Sequence, residues 1–232
     1  MRAEGDRILV SIDDAAARYP LEIDPLIVVT AEQNLVGSGG AFGDMFGFAV
    51  SLTTDGSRAL VGSSGDDVPA GTFDVGSAKV FLRTGTSWAE EATLLAAGGL
   101  QFDGFGTSVA ISGDGLRAIV GAPYDDTGAG ANAGSARVYL RTGTSWAQEA
   151  MLLAAGAVAG DEFGWSLGIA ADGSRVIVGA HYDTTAGGIG AGSARVFFRN
   201  VASWSEEAML VAVGGAADDE LGTSVAIAAD GS

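Results

Sequence analysis

Two Tyr-Asp pairs, Tyr124-Asp125 and Tyr182-Asp183, stand 58 residues apart in the chain. A tyrosine ring offers an apolar surface with a polar tip, and the adjacent carboxylate accepts hydrogen bonds, so such a pair is suited to contact a sugar. Other carboxylates stand in the same stretch or in its counterpart one unit earlier. The sequence therefore predicts seven ligand-binding residues: Asp66, Asp67, Tyr124, Asp125, Asp126, Tyr182 and Asp183.

Nucleophilic and metal chemistry find little support in the sequence. His181 is the only histidine, and it has no nearby serine or cysteine with which to form a catalytic pair. Cysteine is absent, which excludes disulfides, thiol catalysis and thiolate-bound metals. The glycine-rich stretch TGAGANAG is followed by neither a helix nor a lysine, which disfavours a phosphate-binding loop. We predict no catalytic residue, no metal site and no cofactor.

The charge balance favours cationic over anionic partners. The chain has 29 acids and 12 bases, and its net charge of -17 would repel a phosphate backbone. No apolar run approaches the roughly 18 residues of a membrane helix, and the first ten residues lack the apolar core of a signal peptide. We expect a protein or glycan ligand, no nucleic acid and no insertion into a membrane.

The chain is built from a repeat of about 58 residues, which predicts a repeat architecture. A Phe-Gly pair opens each copy except the last, where the pair is Leu-Gly, and an Asp-Gly pair follows nine residues later. A Gly-led landmark, a Gly-Ser-Ala strand and a tryptophan come next. The opening residues are Phe46, Phe105, Phe163 and Leu221, and the tryptophans are Trp88, Trp146 and Trp204.

Within each repeat, residue types alternate with a period of two, which is typical of strands. In the second copy we predict strand A at 105–112, B at 116–122, C at 135–141 and D at 146–154. Four antiparallel strands per repeat predict an all-β protein, a β-propeller of four-stranded blades. A β-solenoid is the alternative, but its coils are usually about half this length or less. The recurrent tryptophans are expected to anchor strand D by packing, with glycan stacking as the alternative.

The stretch FGTSVAISGDGLRAIVGAP resembles the FG-GAP repeat, whose two landmarks stand here as Phe105-Gly106 and Gly121-Ala122-Pro123. The resemblance runs from about residue 30 to the end of the chain. It implies the β-propeller of integrin α-subunits and bacterial surface proteins, and hence a ligand-binding or adhesion module that is extracellular or on the cell surface. It also implies an alternative, because some relatives are attached to hydrolase domains.

One property of that family is missing from the turns between strands A and B. Many family blades carry a calcium loop there, resembling Asp-x-Asp-x-Asp-Gly, because Ca²⁺ takes six to eight oxygen ligands. The turns here are TTDGS, SGDGL and AADGS, with one carboxylate each. We therefore expect no calcium site in these turns.

The repeats also define the expected domain organisation. The repeat region is 30–232, and residues 1–29 fit no repeat and indicate a linker or the tail of an upstream β domain. Three blades cannot close a ring that usually needs four to eight, so we expect a fragment of a longer protein or self-association through open blade edges. The expected segments are strand D at 31–36, blades at about 46–96, 105–154 and 163–212, and a partial blade at 221–232.

The connections divide the charges between the two rims of a propeller. The D-to-A and B-to-C connections share one rim and carry thirteen acids and no base, whereas the other rim is mixed. Because loops on a rigid scaffold commonly carry recognition, we predict a noncatalytic module whose acidic rim binds a cation, a basic peptide or a polyhydroxylated ligand. The alternatives are an acidic rim that serves only solubility, an accessory domain of a hydrolase, and a structural spacer. The repeated Asp44, Asp103, Asp161 and Asp219 are expected only to bond backbone amides of their loops.

Overall fold

The computed structural model describes residues 2–4, 7–9, 33–68, 73–201 and 203–231, and these residues contain strands and turns but no helix. The chain divides into two compact units, Met1–Glu32 and Gln33–Ser232. In the first unit, β1 (Arg2–Glu4) pairs antiparallel with β2 (Arg7–Leu9). The rest of the segment 1–29, and residues 31 and 32 of the predicted strand D, lie outside the described residues.

The second unit contains three four-stranded antiparallel sheets, one for each complete repeat, in which the strands pair in chain order. Strand A of each sheet lies beside strand A of the next. This confirms an incomplete β-propeller of four-stranded blades. Blade 1 is β3 (Phe46–Leu52), β4 (Arg58–Ser63), β5 (Ser77–Thr84) and β6 (Ser87–Leu94); blade 2 is β7 (Ser108–Ile111), β8 (Arg117–Ala122), β9 (Ser135–Thr142) and β10 (Ser145–Leu152); blade 3 is β11 (Ser166–Ile169), β12 (Arg175–Ala180), β13 (Ser193–Asn200) and β14 (Ser203–Leu210).

The apolar cores lie between blades. Leu60 and Val80 of blade 1 cluster with Val109 and Ile111 of blade 2, and blade 2 packs in the same way on blade 3. Both faces of blade 2 are therefore buried, which explains why its inner strands alternate apolar residues with small ones.

The tryptophan-led segments are strands that tie neighbouring blades together. Trp146 packs on the core between blades 1 and 2, and its Nε1 donates to Glu91 of blade 1 at 3.4 Å. Trp204 repeats this contact with Glu149 of blade 2 at 3.3 Å. The packing interpretation of the tryptophans is thus confirmed.

In the second, third and fourth copies the opening Phe-Gly or Leu-Gly pair docks on the Gly-led landmark of the preceding blade. A Cβ atom on Gly121 would lie 2.1 Å from the carbonyl oxygen of Gly164, so no larger residue fits there. That carbonyl also accepts a hydrogen bond from Ser108 Oγ at 2.6 Å. Gly164 has φ of 101°, a conformation that favours glycine. The A strands of blades 2 and 3 begin three residues after the phenylalanine, at Ser108 and Ser166, which corrects the predicted start at 105.

Two predicted partial strands make no strand pairing in the described residues. Residues 33–36 and 225–228 have no regular secondary structure, so no strand is present in the described part of the predicted strand D at 31–36 or in the strand A expected in the partial blade 221–232. The reason is that strand D pairs with strand C of its own blade, and strand A with strand B. Both segments keep the contacts of the repeat all the same: Leu35 packs on the Phe81 and Trp88 cluster, and the Gly222 carbonyl accepts from Ser166 Oγ.

Candidate ligand-binding face

The D-to-A and B-to-C connections form one continuous face, which we call the acidic face; its described residues are 64–68, 73–76, 95–107, 123–134, 153–165 and 181–192. Backbone hydrogen bonds join each B-to-C loop to the D-to-A loop that follows it. Gly104 N–H donates to Asp74 O, and Glu162 N–H donates to Asn132 O. The predicted grouping of these loops on one rim is therefore correct.

One aspartate of each B-to-C loop is buried. Asp125 accepts hydrogen bonds from Ser135 Oγ at 2.6 Å and from Arg137 Nη2 at 3.0 Å. Asp66 makes the same contacts with Ser77 and Lys79, and Asp183 with Ser193 and Arg195. These side chains are nearly inaccessible, so a ligand cannot reach them without unfolding the loop. In the structure Asp66, Asp125 and Asp183 anchor their loops.

The repeated aspartates of the D-to-A loops bond backbone amides three residues earlier, as predicted. The donors to Asp44, Asp103, Asp161 and Asp219 are the N–H groups of Ala41, Leu100, Val158 and Ala216. Burial raises the pKa of Asp103 to about 6, although the Leu100 amide opposes that rise. These four carboxylates hold the loops in shape.

The remaining predicted residues are exposed. Asp67 and Asp126 each accept one backbone N–H of their own loop, from Asp74 and Asn132, and both are exposed. The exposed fractions of Tyr124 and Tyr182 are 36% and 43%, which is enough for a ligand to touch the rings. Four of the seven predicted residues are thus placed where a ligand could reach them.

A groove of about 360 Å³ opens on this face between the blades. Its walls come from all three blades and are mostly apolar or aromatic: Met45, Phe48, Asp74, Phe102, Tyr124 and Trp165. The sequence predicted only Tyr124 among them. A concave site with apolar walls and a few polar groups is the usual form of a ligand site.

Phe102 reaches the groove from a strained backbone position. Its φ is 69°, in the left-handed region that large residues rarely adopt. The same position of the D-to-A loop is Gly43 in the first copy, Gly160 in the third and Asp218 in the fourth. A bulky residue at such a position costs on the order of 1 kcal/mol, and strain of this kind clusters at functional sites.

A run of stacked rings continues from the groove toward blade 3. The rings of Tyr124 and Trp165 meet edge to face at 6.5 Å, His181 lies 4.3 Å from Trp165, and Tyr182 lies 4.0 Å from His181. This arrangement orients Trp165 along the groove wall. The signal that could have found it is departure from the repeat, because Trp165 replaces Thr107 and Phe48, and Phe102 replaces glycine.

Two carboxylates contribute negative charge beside these rings. Asp74 lines the groove, and Glu162 stands close enough to raise the pKa of Tyr124, an effect second to that ring's burial. Burial also raises the pKa of Glu162 itself. Within the described residues no donor bonds the Glu162 carboxylate, and the nearest base is His181, with Nε2 3.7 Å from Oε2.

No group of three or more potential metal ligands occurs within the described ranges. Nor does that part of the chain contain a helix that could cross a bilayer.

The antiparallel blades and their recurrent inter-blade landmarks define a protein of the β-propeller class. The family model described as the FG-GAP repeat matches three times, at residues 29–81, 88–139 and 146–197. Together these matches cover more than half of the sequence, and the chain belongs to the FG-GAP repeat family. No curated protein matches the chain.

Several solved structures resemble the fold at low identity. Sqt1 of Saccharomyces cerevisiae is 12% identical with a TM-score of 0.48, and the match covers 75% of this chain and 38% of Sqt1. A candidate 6-phosphogluconolactonase of Bacteroides uniformis is 10% identical with a TM-score of 0.47, covering 72% and 40%. The hydrazine synthase of Kuenenia stuttgartiensis is 16% identical with a TM-score of 0.42, covering 71% and 36%. The chain therefore spans less than half of each structure.

Proposed function

We propose that this chain is a noncatalytic recognition module that binds a basic segment of a partner protein in the aromatic groove of the acidic face. The observation that supports this proposal most strongly is that four aromatic side chains of the groove lie near two carboxylates. The aromatic residues are Phe48, Phe102, Tyr124 and Trp165, and the carboxylates are those of Asp74 and Glu162. Such binding would serve adhesion of the parent protein to its partner. FG-GAP proteins are often extracellular, and we propose that location here.

The chemistry of the groove favours a cation. The face of an aromatic ring attracts Arg and Lys side chains, by about 0.5–2 kcal/mol per contact. The lysine and arginine side chains that reach this face from the C strands, Lys79, Arg137 and Arg195, are already paired with buried aspartates. The exposed acids are therefore left to face the ligand, and the net charge of -17 would speed the approach of a basic partner.

The geometry of His181 supports a noncatalytic role. Its imidazole is almost completely buried between two aromatic rings. The described residues offer no hydroxyl hydrogen-bonded to it, so it cannot serve as the base of a nucleophile pair there. Attachment to a hydrolase remains compatible with this proposal, because a recognition module can direct an enzyme to its substrate.

A second candidate ligand is a glycan. The half-exposed rings of Tyr124 and Tyr182 favour it, because a sugar can stack on such rings and bond the adjacent Asp126 carboxylate.

Calorimetric titration with two peptides separates these candidates. Hexa-arginine and hexa-citrulline have nearly the same shape, but only the first is charged. We expect hexa-arginine to bind at least about tenfold more tightly, with affinity falling as salt rises. Equal affinities for the two peptides would contradict the cation proposal, and binding of a glycan alone would favour the second candidate.

Replacement of Phe102 by glycine separates binding from stability. Phe102→Gly should weaken hexa-arginine binding about tenfold, because it removes one aromatic wall. It should leave the thermal midpoint unchanged or higher, because glycine relieves the strained φ. The matched control is Leu116→Ser, a partly exposed apolar residue in the A-to-B turn of the opposite rim, which should alter neither quantity. Unchanged affinity in Phe102→Gly would place the ligand elsewhere.

A further inference from the structure

The sole histidine occupies an unusual position beside the proposed site. His181 is only 3% exposed, and its ring lies between Trp165 at 4.3 Å and Tyr182 at 4.0 Å. Its Nδ1 atom is buried and has no hydrogen-bond partner within the described residues. The other blades carry Ser64 and Pro123 at this position, so the repeat itself does not require an imidazole.

The charged and titratable groups around the ring are acids and phenols. Glu162, from the loop before β11, has Oε2 3.7 Å from Nε2, which is beyond hydrogen-bond length for a neutral imidazole. Glu220, from the loop after β14, acts on the ring through its charge, and Tyr182 follows His181 in the same loop. Tyr124 contacts the ring of Trp165, which in turn contacts His181.

Protonation changes the cost of burying the His181 imidazole. A neutral imidazole packs between two rings at moderate cost. A charged one would bury an Nδ1–H without an acceptor, and a buried donor that lacks an acceptor is unfavourable. The protonated ring must therefore move toward Glu162 or out of the stack. Either motion removes support from Trp165, which lines the groove.

We propose that His181 makes the groove sensitive to pH, holding Trp165 in the binding arrangement while neutral and releasing it when protonated. The protonated ring also forms an ion pair with Glu162 and cancels negative charge beside the groove. The part of this inference that concerns the ligand rests on the proposed function, whereas the movement of Trp165 does not.

The direction of the effect follows from burial. Burial lowers the pKa of His181 below its ordinary 6.5, and the charge of Glu220 offsets part of that effect. A histidine with a lowered pKa in the fold stabilises the protein at pH values above 6.5, and this contribution is lost as the pH falls below 6.5. Burial raises the pKa of Glu162, so its own protonation acts in the same direction on a cationic ligand.

Because the chain has a single histidine, NMR can follow its imidazole without ambiguity. We expect the imidazole signals of the whole chain to titrate with a midpoint below pH 6.5. The Trp165 indole signal, assigned by its loss in Trp165→Phe, should shift with the same midpoint, and that of Trp88 should not. A midpoint at or above 6.5, or a Trp165 signal that ignores the imidazole, would overturn the inference.

A binding series tests the consequence for the ligand. Between pH 7.5 and 5.0, hexa-arginine should bind about tenfold more weakly to the unaltered chain. In His181→Gln the loss should shrink to the part due to Glu162, whereas in Glu162→Gln the part due to His181 should remain. The full loss in His181→Gln would assign the pH response to Glu162 alone and overturn the role of His181. If hexa-arginine binds at no pH, the proposed function fails while the NMR titration still decides the movement of Trp165.

Discussion

The two rims of the propeller use their charges in opposite ways. On the rim formed by the A-to-B and C-to-D turns, each blade repeats an Arg-Glu pair at 2.9 Å: Arg58–Glu91, Arg117–Glu149 and Arg175–Glu207. On the acidic face, the repeated aspartates other than Asp219 are buried in the loops. The accessible groups of the groove, such as Phe102 and Trp165, belong to single blades. In this protein the repeated residues build the scaffold, and the departures from the repeat supply the candidate site.

The largest expected effect comes from comparing two adjacent aspartates of one loop, one of which belongs to the scaffold. Asp125 is buried against Ser135 and Arg137, whereas Asp126 is exposed. Asp125→Asn should lower the free energy of unfolding by about 3 kcal/mol, because it leaves Arg137 buried without its counter-charge. Urea denaturation measures this, with Asp126→Asn as the matched control, expected to change stability by less than about 0.5 kcal/mol. Equal effects would mean that burial does not separate the two roles.

Equivalent glutamates in successive blades sharpen the comparison on the other rim. Glu149 accepts from Arg117, Arg199 and the Trp204 indole, and only 11% of its side chain is exposed. Glu149→Gln should destabilise the chain by about 2 kcal/mol, because a hydrogen-bonded charge network shared by blades 2 and 3 is broken. Glu207 is 43% exposed and pairs only with Arg175 among the described residues, so Glu207→Gln should have little measurable effect. A large effect of Glu207→Gln would show that the pair, rather than its burial, matters.

The repeated Asp103 predicts a smaller effect that depends on pH. Its pKa is raised to about 6 from 3.8, chiefly by burial, so the folded state binds more protons than the unfolded state between these values. The contribution of Asp103 to stability therefore falls as the pH rises from about 4 to 6. Asp103→Asn keeps an acceptor for the Leu100 amide and carries no charge, so it should gain about 1 kcal/mol relative to the unaltered chain at pH 7.5. Urea denaturation midpoints of both proteins at pH 4.5 and 7.5 measure this change in stability. The same change in midpoint between the two pH values in both proteins would contradict the prediction.

The smallest expected effect is self-association through the A strand of blade 1, which is exposed where that of blade 2 is buried. Val50 and Leu52 of blade 1 are 65% and 58% exposed, whereas their counterparts in blade 2, Val109 and Ile111, are buried between blades. An apolar sheet face of this kind favours association. Sedimentation should show self-association that rises with concentration and weakens in Val50→Glu. Val213→Glu, at a fully exposed site, is the control, and a monomer at every concentration would refute the expectation.

Much of the fold could be predicted because it is local and repeated. Alternation within about eight residues defines a strand, an Asp-Gly pair defines a tight turn, and copies 58 residues apart must adopt the same structure. The amide bonds of Asp103 and its equivalents span three residues, so they too were predictable. The described residues of the two partial strands keep the strand pattern in sequence but form no strand, because pairing depends on a neighbouring strand.

The sequence by itself determined the propeller blades, the division of loops between two rims and the excess of acid on one of them. Only the tertiary structure decided that Asp125 is buried while Asp126 is exposed, since that depends on whether Arg137 of the next strand reaches the carboxylate. It also decided the groove, whose walls join Met45 and Trp165, 120 positions apart along the chain. Strand patterns arise from neighbouring residues, whereas burial and a shared cavity arise from the packing of blades whose residues are far apart in sequence.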